Sequence, residues 1–436
     1  MDAYKEIHEC RVCRSRDLQS VLSLGLQKVA DFVLNPGDPK KPSAPLELVL
    51  CPQCRLLQLR HTVDAGTLFT QNWHRCISDT HKAALQGVVD AVGQHVDVLP
   101  GDAVLDVGTS DATLLGLYHK HIITCGIDPS QQIMSEAALK HASYAARSFY
   151  SRQVIEGLVK RAGKPFKAIT VVDAFDCLED PIAFLQDMKA MLPDDGVLLI
   201  QVNYLATMLK NNAADAIYHE RLAYYSFKSL EWALSRVGFA VVDAEVDPTW
   251  LRLVVKKAPA QRDDYLDGAV ERIREVLEVE QKLLLENVAT YLQFGRRVKQ
   301  LLEKVSIYVV QQTLKGKKCY TLGASSRGGT LLQSVPIPLS GIAERDDAKV
   351  DHWFTATWLR VHDEEYVRGR ADIMLALPWY LRDEIVAREH EWLAKGGTLL
   401  FPLPKPVLVD KDGEHEVVNE PLKMLRKQSL VAVRHA

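Results

Sequence analysis

Two short segments, Cys10-Arg11-Val12-Cys13 and Cys51-Pro52-Gln53-Cys54, constrain what the start of this chain can fold into more than any other feature. Two residues between cysteines let one tight turn aim both sulfurs at a single point, and two such turns complete a tetrahedron of thiolates. Four protein ligands leave no open position for water, so Cys10, Cys13, Cys51 and Cys54 predict a structural zinc site rather than a catalytic one. A segment this short struggles to bury an adequate core, and the metal would supply much of its folding free energy. The chain has 8 cysteines in all. Cys76, Cys125, Cys177 and Cys319 are isolated and read as small core residues.

At 436 residues the chain is too long for one ordinary core, and two or three domains are expected. A net charge of −3, without a long run of Lys or Arg, argues against a nucleic-acid or membrane-surface partner. The N-terminus lacks an apolar signal segment, and no apolar stretch reaches the roughly 18 residues of a membrane span. These features predict a cytoplasmic protein whose partner is a small molecule, and in that compartment paired cysteines argue for metal rather than disulfides.

Four segments emerge: 1–75 with the cysteine pairs, 76–258, a helical linker at 259–315, and 316–436. In the second, the apolar runs Val104–Val107, Thr124–Ile127, Ala168–Val172 and Val197–Val202 alternate with helical periodicity, the pattern of a parallel sheet with crossovers. The third carries Val270, Ile273, Leu277, Leu284, Val288, Leu292, Val298, Leu301, Leu302 and Val305 at roughly helical spacing, predicting a core-facing helix pair. The fourth, with Cys319–Leu322, Ile373–Leu377 and Thr398–Phe401, reads as a second α/β domain. The Pro- and Lys-rich stretch Asn35–Pro42 predicts a loop.

Val104-Leu105-Asp106-Val107-Gly108-Thr109-Ser110-Asp111 reads as a strand, a tight turn and the start of a crossover, and Asp128 ends the next strand, where an acid can hydrogen-bond a ribose diol. A dinucleotide would require G-x-G-x-x-G, so that backbone can press against a pyrophosphate, and here only Gly108 is glycine. S-adenosylmethionine (SAM) has no phosphate. One glycine, the hydroxyls of Thr109 and Ser110, and the acids Asp106, Asp111, Asp128 and Asp173 suit it better.

With the cysteine pairs and the loop Gly108–Asp111, three further stretches resemble the sugar C-methyltransferases of deoxysugar pathways. Ile217-Tyr218-His219-Glu220-Arg221-Leu222-Ala223-Tyr224-Tyr225-Ser226 resembles that family's I-Y-H-E-H-L-x-Y-[FY]-S. Leu322-Gly323-Ala324-Ser325-Ser326-Arg327-Gly328-Gly329-Thr330-Leu331-Leu332, followed by Glu344-Arg345-Asp346-Asp347-Ala348-Lys349, resembles its G-A-x-x-K-G-N-T-L-L and D-R-N-P-x-K. The resemblance implies an N-terminal zinc module, a central class I SAM methyltransferase (Rossmann-like) domain and a C-terminal Rossmann-like α/β domain. It implies transfer of a methyl group to C3 of a nucleotide-linked 4-keto-deoxysugar through an enolate, which demands a base near the C–H and a donor near the developing oxyanion. It also implies catalytic roles among Tyr218, His219, Glu220, Arg221 and His74, and substrate contacts from Tyr204, Tyr224, Arg252, Arg327 and Lys349.

Five places depart from the family. The second histidine of its Y-H-E-H, the implied base, is Arg221, and a guanidinium stays protonated. Its Y-x-Y reads Asn72-Trp73-His74-Arg75, its N-V-x-x-H reads Asp173-Ala174-Phe175-Asp176-Cys177, its strand-five glutamate is Gln201, and its P-G-T is Thr355-Ala356-Thr357. Three outcomes follow. Carbon methylation persists with His219, His74 or Glu220 as base and Arg221 binding the enolate oxygen or a phosphate; or the acceptor is a heteroatom or a more acidic carbon; or the chain is a non-catalytic SAM- or nucleotide-binding subunit.

Overall fold

The computed structural model describes residues 3–69, 79–335 and 337–420, so His74 and Cys76 lie outside it. The N-terminal strands are β1 (Tyr4–Glu6), β2 (Gln19–Lys28), β3 (Phe32–Val33), β4 (Ser43–Leu50), β5 (Leu57–Leu59) and β6 (His61–Val63). The central strands are β7 (Ala103–Val107), β8 (Ile123–Asp128), β9 (Tyr144–Arg147), β10 (Phe166–Val172), β11 (Val197–Asn203), β12 (Ala223–Tyr224), β13 (Phe239–Val246) and β14 (Trp250–Lys257). The C-terminal strands are β15 (Cys319–Leu322), β16 (Ile342–Glu344), β17 (Trp353–Phe354), β18 (Leu359–Asp363), β19 (Ile373–Ala376), β20 (Thr398–Phe401), β21 (Val407–Asp410) and β22 (Gly413–Glu416). The α/β class expected from the alternating pattern is the class observed.

Helices cover both faces of a parallel sheet, so its strands read as continuous apolar runs rather than alternating ones. Every residue of β7 is buried. The central sheet runs β13-β14-β11-β10-β7-β8-β9, with only β14 antiparallel to its neighbours. Strand order reverses at β7, and in such sheets the crevice for a ligand opens at the carboxyl ends of the strands flanking the reversal. The C-terminal sheet repeats this around β15: β16 and β18 lie to one side, β19 and β20 to the other, all parallel.

The N-terminal segment does not form a closed unit. Its four-stranded antiparallel sheet, β12-β5-β4-β2, takes β12 from the central segment, pairing Ala223 with Gln58 and Tyr224 with Leu57. At the other side, β3 joins β17 and so extends the C-terminal sheet. Phe32 packs on Phe354 at 5.2 Å, and the backbone N–H of Asp31 donates to Thr355 Oγ1 at 2.9 Å. The Asn35–Pro42 stretch is a loop, as its prolines require.

The helical linker resolves into helices Ala269–Lys282 and Val288–Leu314. Val298, Leu302 and Val305 face the core, but Val270, Leu284 and Leu292 are solvent-exposed, so the expected apolar stripe is narrower than its periodicity suggests. The first helix is instead fixed by a polar residue. Buried Glu280 accepts from the backbone N–H groups of Phe227 and Lys228, the first turn of helix Phe227–Val237, and from the Tyr204 hydroxyl at 3.1 Å. A carboxylate at a helix N-terminus satisfies orphan donors and meets the positive end of the helix dipole. Among the described residues, no helix is long and apolar enough to cross a membrane.

Candidate active site

The crevice at the head of β7 is built on Gly108. Its φ of +82° lies in the left-handed region, and a Cβ there would sit 2.6 Å from that of Ala174, so only glycine lets the loop after β7 press against the loop after β10. Ser110, Ala112 and Asp173 also have positive φ, at 51°, 58° and 52°. Three non-glycine residues held in this region around one cleft cost on the order of 1 kcal/mol or more each, strain of the kind that collects at functional sites. Strand-end Asp128 ties the loop down: Ser110 N–H donates to one carboxylate oxygen at 2.9 Å and Ser130 N–H to the other at 2.8 Å. Asp111 accepts from the backbone and hydroxyl of Thr113 at 3.1 and 2.7 Å. Asp173 takes a hydrogen bond from Asn203 at 3.3 Å.

Asp106 lies beneath the loop, buried, with Thr170 Oγ1 donating to it at 2.6 Å. Burial pushes its carboxyl up to about 6. The buried Ser130 hydroxyl oxygen has no hydrogen-bond partner among the described residues, a polar group left for a bound molecule. The single-glycine turn, the strand-end acid and the small hydroxyls fit SAM.

The segment Asp215–Ser226 is where all three parts of the chain meet. The Ile217 carbonyl accepts from Thr330 of helix Ser326–Ser334, and Glu220 Oε1 accepts from Ser326 Oγ at 2.9 Å. Arg327 clamps Asp215 through Nε and Nη2 at 2.9 and 2.6 Å and lies over the Tyr380 ring. Leu222 N–H donates to the Asp176 carbonyl, and Leu59 N–H donates to that of Leu222.

Arg221 is buried over the Tyr218 ring, with Nε 2.8 Å from a carboxylate oxygen of buried Asp176. The pair is close in distance but off-line for a hydrogen bond, and Arg221 Nη1 has no partner among the described residues. Burial opposes the charge of Arg221, but Asp176, then Tyr218 and Asp173, outweigh it and raise its pKa above the ordinary value. Burial holds the hydroxyls of Tyr218 and Tyr224 neutral.

Three expectations need correction. His219 is buried, with its Nε2 3.0 Å from the carbonyl oxygen of Ala44 in β4, and burial lowers its pKa. Its Nε2 is engaged in anchoring the segment to the N-terminal sheet, which speaks against that nitrogen as a base. Arg252 is consumed inside the central domain: Nε donates to Gln201 at 3.0 Å, and Nη1 to Glu245 at 2.7 Å and the Gly87 carbonyl at 3.1 Å. Tyr204 is buried and committed to Glu280. Arg252 Nε and Nη1 and the Tyr204 hydroxyl are thus engaged within the protein.

Arg327 and Lys349, by contrast, both line a cavity of about 260 Å³ at the carboxyl ends of β15, β16 and β19. Lys349 Nζ donates to the Ala324 carbonyl at 3.2 Å and lies near Glu344 and Asp346. Asp215 reaches into the same cavity, which therefore abuts the Asp215–Ser226 segment. Sequence reasoning did not find Asp176, Asp215 or Glu280 as partners: each is an ordinary acid until the fold brings it to an arginine or a helix end.

The two cysteine pairs form matching turns. Arg14 N–H donates to the Cys10 carbonyl and Arg55 N–H to that of Cys51, at 3.0 and 2.9 Å. Arg14 and Arg55 take φ of 62° and 61°. The four sulfurs lie within 4.8 Å of one another, and a tetrahedral zinc with bonds of about 2.3 Å would separate them by ~3.8 Å. The donor set and its compactness fit zinc.

A class I SAM-dependent methyltransferase domain joined to a four-cysteine zinc site is what this fold and these sites define. Family models match in series: a zinc binding domain at residues 10–69, a methyltransferase domain at 74–244, and a C-methyltransferase C-terminal domain at 250–404. Together the three models span residues 10–404 of the chain. It is similar to the C-methyltransferase NovU of Streptomyces niveus, at 27% identity over 424 residues, 94% of this chain and 99% of that one. It is 31% identical over 116 residues to the ubiquinone biosynthesis O-methyltransferase of Actinobacillus pleuropneumoniae serotype 5b (strain L20), covering 25% of this chain and 49% of that protein. A SAM-dependent methyltransferase from Clostridium acetobutylicum ATCC 824 superposes with a TM-score of 0.32 at 14% identity, covering 42% of this chain and 94% of that one.

Proposed function

We propose that the chain methylates a carbon beside the ketone of a nucleotide-linked 4-keto-deoxysugar, with Glu220 as the base and Arg221 as the partner of the enolate oxygen. The observation that carries this reading is that Asp215–Ser226 contacts both Asp176, in the loop after β10, and the cavity at Arg327. A molecule held by its nucleotide in the cavity can extend its sugar past Glu220 towards the cleft. SAM bound in that cleft would supply an electrophilic methyl group.

Removing a proton from carbon needs an acceptor within reach and stabilisation of the oxygen that gains the charge. Glu220 is half-buried and bonded to a neutral hydroxyl, and the arginine beside it turns to Asp176 instead. Its carboxylate is therefore not held in an ion pair among the described residues. Arg221 cannot accept the proton, but its unpaired Nη1 in a buried site is a donor of the kind an enolate oxygen requires. Tyr218 and Tyr224 line the guanidinium with neutral rings, and Asp176 fixes its orientation.

The test is deuterium wash-in. Enzyme saturated with S-adenosylhomocysteine, in deuterated water, should exchange the proton at C3 of a nucleotide-linked 4-keto-6-deoxyhexose. Glu220→Gln should reduce the rate by about 10²-fold or more. Exchange that survives Glu220→Gln unchanged would remove Glu220 as the base, and absence of exchange with the unmodified enzyme would remove the enolate reading.

A further inference from the structure

One departure from the family puts a charge where the resemblance implies an amide. Its N-V-x-x-H begins with asparagine, and this chain has Asp173 there, directly after β10. The backbone does not require the exchange. Asp173 has a φ of +52°, a left-handed value that asparagine and aspartate both adopt more readily than other side chains. What differs is polarity: an amide both donates and accepts hydrogen bonds, whereas an ionised carboxylate only accepts.

Asp173 is exposed, and it adjoins Ala174, the residue that Gly108 approaches in the cofactor turn. The charges that bear on it are those of Asp176, Arg221, His81 and Arg327, which places it on the side of the Asp215–Ser226 junction. Both arginine charges are already balanced, Arg221 by Asp176 at 2.8 Å and Arg327 by Asp215 at 2.6 Å. Asn203 Nδ2 donates to one oxygen of Asp173 at 3.3 Å. A carboxylate has about four acceptor sites, so most of the capacity of this one is open to a molecule in the cleft.

We propose that Asp173 determines acceptor specificity by accepting a hydrogen bond from a hydroxyl or a protonated amine on the carbon that is methylated. This rests on the reading that the acceptor is a ketone methylated beside its carbonyl. A ketone oxygen only accepts, so Asp173 repels it and the donor Arg221 receives it. A substituent that donates is received by Asp173. Two groups of opposite polarity thus fix which way round the sugar ring enters, and with it which carbon meets the methyl donor. A hydrogen bond to a charged group contributes about ten- to a hundredfold.

The test is methyl transfer at pH 7.5 to three nucleotide-linked 4-keto-6-deoxyhexoses that carry a hydroxyl, an amine or only hydrogen at C3, in whichever of the UDP and dTDP series the enzyme accepts. For the unmodified enzyme, kcat/KM should be at least about tenfold lower with the 3-deoxy acceptor than with the better of the other two. Asp173→Asn keeps a residue suited to the left-handed backbone and should lower that ratio several-fold, because a neutral amide accepts a weaker bond. A loss concentrated on the amine identifies a protonated amine as the natural donor, and a loss concentrated on the hydroxyl identifies a hydroxyl. Equal use of all three acceptors by the unmodified enzyme, or an unchanged ratio in Asp173→Asn, overturns the assignment; weaker SAM binding by that variant in calorimetry, with the ratio unchanged, would return Asp173 to the cofactor. Transfer to none of the three overturns the keto-sugar reading, and this assignment with it.

Discussion

Replacing an imidazole by a guanidinium at position 221 converts a group that could exchange protons into a permanent cation, and the fold answers with Asp176 at 2.8 Å. A buried arginine without a partner would be costly, whereas the pair can be retained at little net cost. Arg221 was legible as a departure in the sequence, but its partner was not, because Asp176 is 45 positions away and unremarkable in its own segment. His219 is the opposite case: it matches the family's first histidine, yet the neighbour it is bonded to, the Ala44 carbonyl, is a backbone atom that no sequence pattern displays. Asp106 carries the clearest pH dependence. Its folded pKa of about 6 lies above the ordinary 3.8, so folding takes up a proton between the two values. Its contribution to stability is therefore greatest below about pH 4 and is lost as pH rises through 6. Asp106→Asn escapes this loss. Urea unfolding of both proteins from pH 4.5 to 7.5 should show the variant gaining on the unmodified chain as pH rises, by about 2 kcal/mol over that range; a constant difference across the range would contradict the buried, proton-binding Asp106.

At the scale of elements, the strands were the most legible part. Buried parallel strands must be apolar throughout, and all four runs read in the central segment fall inside observed strands. The two-residue strands β3 and β12 were not legible, because so short a segment has no period, and both pair across segments distant in sequence. Those short strands carry functional weight. The zinc turns position β5, β5 pairs with β12, and β12 belongs to the segment that holds Glu220 and Arg221. Buried Arg11, between the first two cysteines, reinforces this route through the Leu59 carbonyl at 2.6 Å and Thr62 Oγ1 at 2.7 Å. The purified protein should contain about one zinc per chain. Stripping it with a chelator should lower the thermal midpoint and abolish methyl transfer, while SAM affinity changes only a few-fold, because the cofactor loop belongs to a different sheet. Full activity in demonstrably zinc-free protein would refute this coupling.

Taken whole, the molecule joins two Rossmann-like sheets through one shared segment, with the zinc-containing sheet as the third support. Domain content was legible because each part has its own sequence signature. The seams were not: Asp215 with Arg327, Glu220 with Ser326 and Glu280 with helix Phe227–Val237 each join segments that look independent. The central claim is that a methyl group passes from SAM to carbon at this junction. Incubating the enzyme with methyl-¹³C-labelled SAM and UDP- or dTDP-linked 4-keto-6-deoxyhexose, and recording the ¹³C spectrum of the product, tests it directly. The expected label is a methyl resonance coupled only through carbon to the sugar ring. A label resonating as a methoxy group, or no transfer to either sugar nucleotide from protein that binds SAM, would contradict it.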